Sequence, residues 1–241
     1  MPIPTLTPYD TGTFASTGTV VAGQAVALTA TALRDNILDY GSRHLGMPPA
    51  QCRLAEDEVI CGPRRMPLSE LYAVGTRERH RFEARRKAYL SPRSVAFNVH
   101  GVRVAVNRIT AEIRILHSVH AADIGRLINP MQCRGQIDGA IAMGFGWALT
   151  ENMVHGPDGA MVNPSLRNYR IPAFADVPPS EVFFADTYDR IGPLGAKSQG
   201  ECAINPVAPA IANAVANATG VRFAHLPLTP DRIFAALSPQ P

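Results

Sequence analysis

Apolar residues recur along the first part of this chain with the period of a helix. From about Thr19 they are spaced three or four residues apart, which predicts an amphipathic helix that ends near Gly41 or Gly46. Ser16, Thr17 and Thr19 stand where the N-caps of a helix are expected. The apolar positions of this helix are Val21, Ala25, Leu28, Leu33, Ile37 and Leu38.

Other short elements lie on both sides of this helix. The first ten residues contain three prolines and are predicted to be extended. A hairpin is predicted over residues 53–61 and a brief helix over residues 67–75. The clearest strand pattern follows at residues 95–122, where valines and then isoleucines alternate with polar or small neighbours around a turn at 107–111.

A long helix is predicted over residues 131–154, although it contains several glycines. Each glycine weakens a helix by about 1 kcal/mol relative to alanine. The small residues recur at four-residue spacing, so we expect them to line a face at which another backbone approaches closely. These residues are Gly135, Gly139, Ala140, Gly144 and Ala148.

The last third of the chain is predicted to alternate between loops and short elements. A turn at 155–159 and an irregular proline-rich segment at 163–179 precede a strand at 181–188. A glycine-rich loop then occupies residues 192–206.

Two helices are predicted to close the chain. Asn205 is expected to cap the first, which has Pro206 at its first position and runs to Gly220. Thr229 begins the second, which ends at Leu237. Together the elements predict an α+β fold over residues 1–241, with mixed sheets flanked by helices and with 11–94 and 95–241 as candidate lobes.

The composition excludes several classes of protein. An apolar fraction of 46% is typical of a packed globular chain rather than a disordered one. The net charge of +3 is too small to indicate nucleic-acid binding. No apolar run approaches the roughly 20 residues that span a bilayer. The N-terminus lacks the pattern of a signal peptide, so we expect a cytoplasmic protein.

The four cysteines do not indicate a site of their own. Their spacing contains no CxxC pair, so neither a zinc site nor an iron–sulfur site is predicted within this chain. A chain of 241 residues with so few cysteines also does not suggest a disulfide framework.

The segment GPLGAKSQGE, residues 192–201, carries the strongest chemical signal. Its glycines allow the backbone to come close to a ligand, and its carboxylate, Glu201, directly precedes a predicted helix. A carboxylate held in such a loop is suited to act as a base. The alternative is a solvated residue at a helix N-terminus, where negative charge is favoured in any case.

Two further segments carry polar groups suited to ligand binding. FASTGT, residues 14–19, places hydroxyls and a glycine at the start of a helix, which suits an anion site but equally a helix cap. In residues 121–139, Asn129 and Gln136 offer amides beside glycine and proline. Their alternative interpretation is as turn and helix-cap residues.

Taken together and in this order, the three segments resemble the C-terminal part of the large subunit of the xanthine dehydrogenase/aldehyde oxidase family. The similarity rests on PYDTGTFAS, on HAADIGRLINP with GQIDGAIAMGFGWAL, and on GAKSQGE followed by PVAPAIANA. It extends over nearly the whole chain, from about Pro8 to Leu237. The resemblance implies a molybdenum hydroxylase that binds molybdopterin, in bacteria often as the cytosine dinucleotide, with a molybdenum ion.

The resemblance also implies roles for individual residues. Glu201 corresponds to the general base, which takes a proton from a metal-bound hydroxide before the oxygen attacks an aldehyde or N-heterocycle carbon. Gln136 corresponds to a residue that bonds the pterin or the metal ligands. Lys197 and Gly200 belong to the loop that presents Glu201. The residues that correspond to cofactor contacts near the N-terminus are Ser16, Thr17, Gly18 and Thr19.

The chain departs from the family pattern in two ways. Thr17 stands where the family usually has an arginine, which puts one anion or substrate contact in doubt. The family's upstream glycine-rich loop and most of its substrate pocket are expected before residue 1. We therefore expect the N-terminal half of the molybdenum subunit on a partner chain or on a longer chain, and with it exposed apolar surface on the glycine-lined helix.

The resemblance further implies partners that carry electrons, because nothing in this sequence binds an electron carrier. These are an iron–sulfur subunit and a flavin subunit with FAD, beside a small-molecule substrate. Two alternatives stay open: a reductive member of the family that acts on an aromatic acyl-CoA, and a non-catalytic fragment or scaffold that retains the fold.

Overall fold

The computed structural model describes residues 12–89 and 93–238, which form two compact units. The smaller unit comprises residues 18–89, and the larger comprises 93–238 together with 12–17. Residues 12–17 therefore belong with the C-terminal part of the chain, although they adjoin the smaller unit in sequence. The extended segment predicted for the first ten residues lies outside the described part.

The smaller unit begins with a π-helical turn, Gly18–Ala22, that continues into helix α1, Gly23–Leu45. This turn makes the predicted side-chain cap wrong, because the N-cap position of α1 falls on Ala22, which has no capping group. The C-terminal end confirms the prediction: Gly46 adopts the left-handed conformation, with φ of 61°, that ends many helices.

Three short antiparallel strands follow, with β2 in the middle: β1 (Cys52–Ala55), β2 (Glu58–Cys61) and β3 (Arg64–Pro67). They confirm the predicted hairpin and add a third strand. Helix α2, Leu68–Arg77, matches the brief helix that was expected. A disulfide joins Cys52 to Cys61, which are directly opposite each other on β1 and β2. The sequence analysis missed this bond because cysteine spacing alone does not reveal strand register.

The larger unit is built on a second three-stranded sheet. Strand β4, Phe97–Val106, pairs antiparallel with β5, Ile113–Asp123, and β6, Ser180–Phe184, joins β5 in parallel. The predicted hairpin is confirmed, with the Asn107 side chain accepting two backbone amides in its turn. The mixture of antiparallel and parallel pairing, with helices packed on it, confirms the α+β class.

Three helices complete the larger unit. Helix α3, Pro130–Leu149, has a true N-cap, since the side chain of Asn129 accepts the Gln132 amide. Helix α4 spans Val207–Thr219, and α5 spans Pro230–Leu237 as predicted.

The predicted cap on α4 is wrong. Asn205 itself has helical angles, and Pro206 occupies the N-cap position without a side-chain bond. The cause is a 3-10 turn, Cys202–Ile204, which runs directly into the helix.

Helices α3 and α4 pack on each other and form one hydrophobic core with the sheet. A methyl group added to Gly144 would lie 2.5 Å from Cβ of Val207, so the predicted close approach is confirmed there. At Gly135 and Gly139 an added methyl group would meet nothing within 4 Å among the described residues, so a close approach there stays a prediction. Among the helices that the structure describes, none is long and apolar enough to cross a membrane. The cytoplasmic location stays a prediction.

Candidate active site

Ser16 and Glu201 form the centre of the candidate site. The Ser16 hydroxyl donates to Oε2 of Glu201 at 3.0 Å, and the Glu201 backbone amide donates to the same hydroxyl at 2.8 Å. A tight turn presents Ser16, with positive φ at both Ala15 and Ser16, and the Thr17 amide closes it by donating to the Phe14 carbonyl. The N-terminal segment and the glycine-rich loop thus meet at a carboxylate.

Helix α3 contributes the third side of the site. A Cβ atom added to Gly200 would lie 3.4 Å from Oγ of Ser16 and 3.9 Å from Oε1 of Gln136. Gly200 therefore lies between the two polar side chains. Gln136 and Glu201 are both exposed, so the group faces outward and is open to a ligand.

The loop that carries Glu201 is attached to the end of β5. The Lys197 ammonium donates to Oδ2 of Asp123 at 2.8 Å, and the Lys197 amide donates to the Ile124 carbonyl at 2.8 Å. The Lys197 side chain is 11% exposed and that of Asp123 is 25% exposed. Burial alone would raise the pKa of Asp123, but hydrogen bonds from Lys197, Thr187 and the Gly125 amide outweigh it and hold the pKa below its usual range.

Two glycines allow the loop to lie this close to the sheet. Both have positive φ, 66° at Gly125 and 89° at Gly195. A Cβ at Gly125 would fall 2.3 Å from the Gly195 carbonyl oxygen, and one at Gly195 would overlap the ring of Tyr188. Any side chain at either position would displace the backbone that leads to Lys197.

Gln199 ties the same loop to α3 and was missed by the sequence analysis. Its Nε2 donates to the Cys133 carbonyl at 3.1 Å, and the residue is 7% exposed. Its Oε1 is buried and has no hydrogen-bond partner among the described residues. The loop is therefore fixed to α3 through Gln199 and to the end of β5 through Lys197, and both residues precede Glu201.

A buried chain of hydrogen bonds reaches the residue after Glu201. Asn98 donates to Sγ of Cys202 at 3.1 Å and accepts from Nε2 of His120 at 3.0 Å. With both imidazoles neutral, His120 accepts at Nδ1, where His100 lies 3.1 Å away and donates. The hydrogen bonds then run from the sheet to the site loop.

The pKa shifts along this chain of hydrogen bonds agree with neutral imidazoles. Burial, and to a lesser extent the neighbouring His120, lowers the pKa of His100 to about 4. Burial also lowers the pKa of His120 and raises the pKa of the Cys202 thiol. The sequence analysis did not assign either histidine to the site, because the loop that they reach lies about 80 positions or more further along the chain.

The structure thus brings together Ser16, Gln136, Gly200 and Glu201 out of the predicted site residues. Lys197 lies behind the loop and is bonded to Asp123. The Thr17 hydroxyl donates to the Phe14 carbonyl. Gly18 and Thr19 open the smaller unit. Contact of Lys197, Thr17, Gly18 and Thr19 with a cofactor stays a prediction.

Comparison with known proteins identifies the family of this chain. A family model described as a molybdopterin cofactor-binding domain matches residues 4–178. The chain belongs to this molybdopterin-binding family. It is 33% identical to the xanthine dehydrogenase molybdenum-binding subunit of Escherichia coli O157:H7, over 95% of this chain and 32% of that protein.

Two further relatives widen the comparison. The aldehyde oxidoreductase molybdenum-binding subunit PaoC of Escherichia coli K12 is 36% identical, over 80% of this chain and 27% of that protein. The crystal structure of quinoline 2-oxidoreductase from Pseudomonas putida 86 matches with a TM-score of 0.88 and 26% identity, over 97% of this chain and 31% of that one. The chain spans about a quarter to a third of the length of these relatives.

Proposed function

We propose that this chain is part of a molybdenum-dependent oxidoreductase that hydroxylates an aldehyde or N-heteroaromatic carbon with oxygen derived from water. The convergence of Ser16, Gln136 and Glu201 around Gly200 carries the proposal. The names of the relatives support the substrate class, since they include an aldehyde oxidoreductase, a xanthine dehydrogenase and a quinoline oxidoreductase. Those substrates share a carbon made electron-poor by oxygen or nitrogen.

The donor set suits a molybdopterin. A pterin presents several ring donors and acceptors, and the site offers a hydroxyl, a carboxamide and a glycine amide within a small area. Gln136 is exposed and its Oε1 lies 3.9 Å from the Cβ position of Gly200, so its carboxamide is open to a ligand. We propose that Ser16, Gln136 and Gly200 contact the pterin. Thr17, Gly18 and Thr19 extend this set, and the cytosine dinucleotide is the form that we propose.

The bound cofactor would supply the redox chemistry. The part we assign to this chain is proton transfer, in which the Glu201 carboxylate accepts the proton that the oxygen donor releases. Ser16 orients that carboxylate and fixes its backbone through the same hydroxyl. Lys197 acts behind the loop, since its ion pair with Asp123 holds the segment that presents Glu201.

The proposed assembly has at least three further components. The rest of the molybdenum subunit supplies the remaining cofactor contacts and the substrate pocket, because the relatives are three to four times as long as the matched region. Electrons then leave through an iron–sulfur subunit and a flavin subunit that carries FAD.

The test is to purify this chain with its natural partners and to measure molybdenum and pterin content by mass spectrometry. Aldehydes and N-heterocycles are then assayed as substrates. The proposal predicts about one molybdenum per chain, turnover of a member of the panel, and ¹⁸O in the product when the reaction runs in H₂¹⁸O. A complex without molybdenum would assign the chain a scaffold role, and oxygen incorporation from another source would overturn hydroxylation by water.

A further inference from the structure

Helix α3 presents a largely apolar face that the described residues of this chain leave uncovered. Met131, Gly135, Gly139, Met143 and Trp147 are spaced four residues apart and form one exposed row that winds slowly around the helix, which we call the α3 face; the exposed Gln132 and Gln136 lie beside this row. The large members are well exposed: Met131 is 79%, Met143 54% and Trp147 52% exposed. Both glycines are exposed as well.

The composition of α3 indicates that this face is buried in the working protein. Apolar residues lie on all sides of the helix, and helices of that kind are usually buried all round. The opposite side is already covered, since Ile137, Ile141 and Phe145 pack in the core of the larger unit. The α3 face is the side that still needs a neighbour.

The two glycines specify how that neighbour approaches. In a helix, each costs about 1 kcal/mol relative to alanine. A methyl group at Gly135 or Gly139 meets nothing within 4 Å, so no contact among the described residues requires glycine at either position. A backbone or a bulky side chain that enters the groove between Met131 and Met143 would need the space that the glycines leave.

We propose that the α3 face docks the rest of the molybdenum subunit, an inference that rests on the proposed function. Length is the first argument for this occupant, since the matched region is about a quarter to a third of the relatives. Position is the second. Gln136 directly follows Gly135 and borders Gly200, so the segment that covers the α3 face also reaches the edge of the candidate site.

The occupant therefore has a defined chemistry. It is an apolar segment that places backbone or one large side chain in the glycine groove, between methionine side chains that adapt to irregular shapes. Trp147 supplies an aromatic anchor of the kind enriched at interfaces. Docking there joins the polar groups around Glu201 to those that the rest of the subunit contributes.

The test uses Gly135→Ala, Gly139→Ala and the bulkier Gly135→Leu, with Asn217→Ala as the matched control on the exposed side of α4. In the chain alone, each glycine-to-alanine change is expected to raise Tm by roughly 2–4 °C, because helix propensity improves and nothing clashes. In the assembly the same substitutions are expected to weaken binding instead of stabilising the protein. Affinity for the rest of the molybdenum subunit, produced separately and titrated, falls at least tenfold for Gly135→Leu.

The outcomes separate this inference from the proposed function. Wild-type assembly with molybdenum and unchanged affinity of every glycine variant overturns the docking surface and leaves the function intact. A wild-type assembly that holds no molybdenum defeats the function, and loss of affinity in Gly135→Leu still supports the surface. Self-association of the chain alone that the glycine variants abolish would assign the face to a second copy and overturn the proposal.

Discussion

Ser16 and Glu201 are 185 positions apart in the sequence and are joined by two hydrogen bonds through one hydroxyl. The hydroxyl donates to the carboxylate and accepts from the backbone amide of the same residue. It therefore fixes both the direction of the Glu201 side chain and the start of the turn that follows.

Replacing Ser16 with alanine tests this relationship. The Glu201 amide loses its acceptor and the carboxylate loses a donor, so we expect kcat of the assembled enzyme to fall about tenfold, the equivalent of one hydrogen bond. Molybdenum content serves as a check that assembly is retained. Ser238→Ala removes a hydroxyl with a similar local bond at the end of α5 and should leave kcat unchanged.

The ion pair between Lys197 and Asp123 predicts a loss of stability. Lys197→Met leaves the Asp123 carboxylate without its cation in a partly buried position, and we expect the free energy of unfolding to fall by about 2–3 kcal/mol. The side chains are 11% and 25% exposed, which keeps the effect below that of a fully buried pair. Urea denaturation measures it.

Lys87, the other lysine of the chain, is the matched control for this prediction because its side chain is exposed. Lys87→Met should change stability by less than about 0.5 kcal/mol. A double variant, Lys197→Met with Asp123→Leu, should lose less than the sum of the single changes. Additive losses would show that the two groups do not interact.

The buried histidines predict sensitivity to acid. His100 has a pKa of about 4 in the folded chain, below the 6.5 of a free histidine, so the unfolded state binds the proton more readily. The contribution of neutral His100 to the free energy of unfolding should be fully present above pH 6.5. It should be lost as the pH drops toward 4, by up to about 3 kcal/mol.

Denaturation curves between pH 7 and pH 4.5 check the sign. His100→Leu should flatten this part of the profile, whereas His225→Leu, at an exposed position outside the chain of hydrogen bonds, should keep the wild-type slope. A slope that is the same in both variants would contradict the assignment.

Much of the fold and part of the site could be predicted from the sequence. Periodicity found the long helices and the hairpin of β4 and β5, and the motifs singled out Ser16, Gln136 and Glu201. Helix starts were wrong at α1 and α4 because a π turn and a 3-10 turn precede them, and cap residues do not reveal such turns. Those errors concern single turns of backbone, where local chemistry gives little information.

The supports of the site were harder to predict. Asp123 and Lys197 are 74 positions apart, and Asn98 and Cys202 are 104 apart, so no local pattern connects them. Gln199 has no distinguishing feature in the sequence, because its role depends on a hydrogen bond to the Cys133 carbonyl, 66 positions away. Cys52 and Cys61 pair because of strand register, which cysteine spacing does not encode.

The most direct measurement for the central claim is kcat of the Glu201→Gln variant in the complete complex. Glutamine keeps the shape and the bond to Ser16 but cannot take up a proton at that position. With molybdenum content equal to wild type, we predict that kcat falls by about 10²- to 10⁴-fold, the usual contribution of a general base. A variant with full molybdenum that retains kcat within about threefold of wild type would contradict the account.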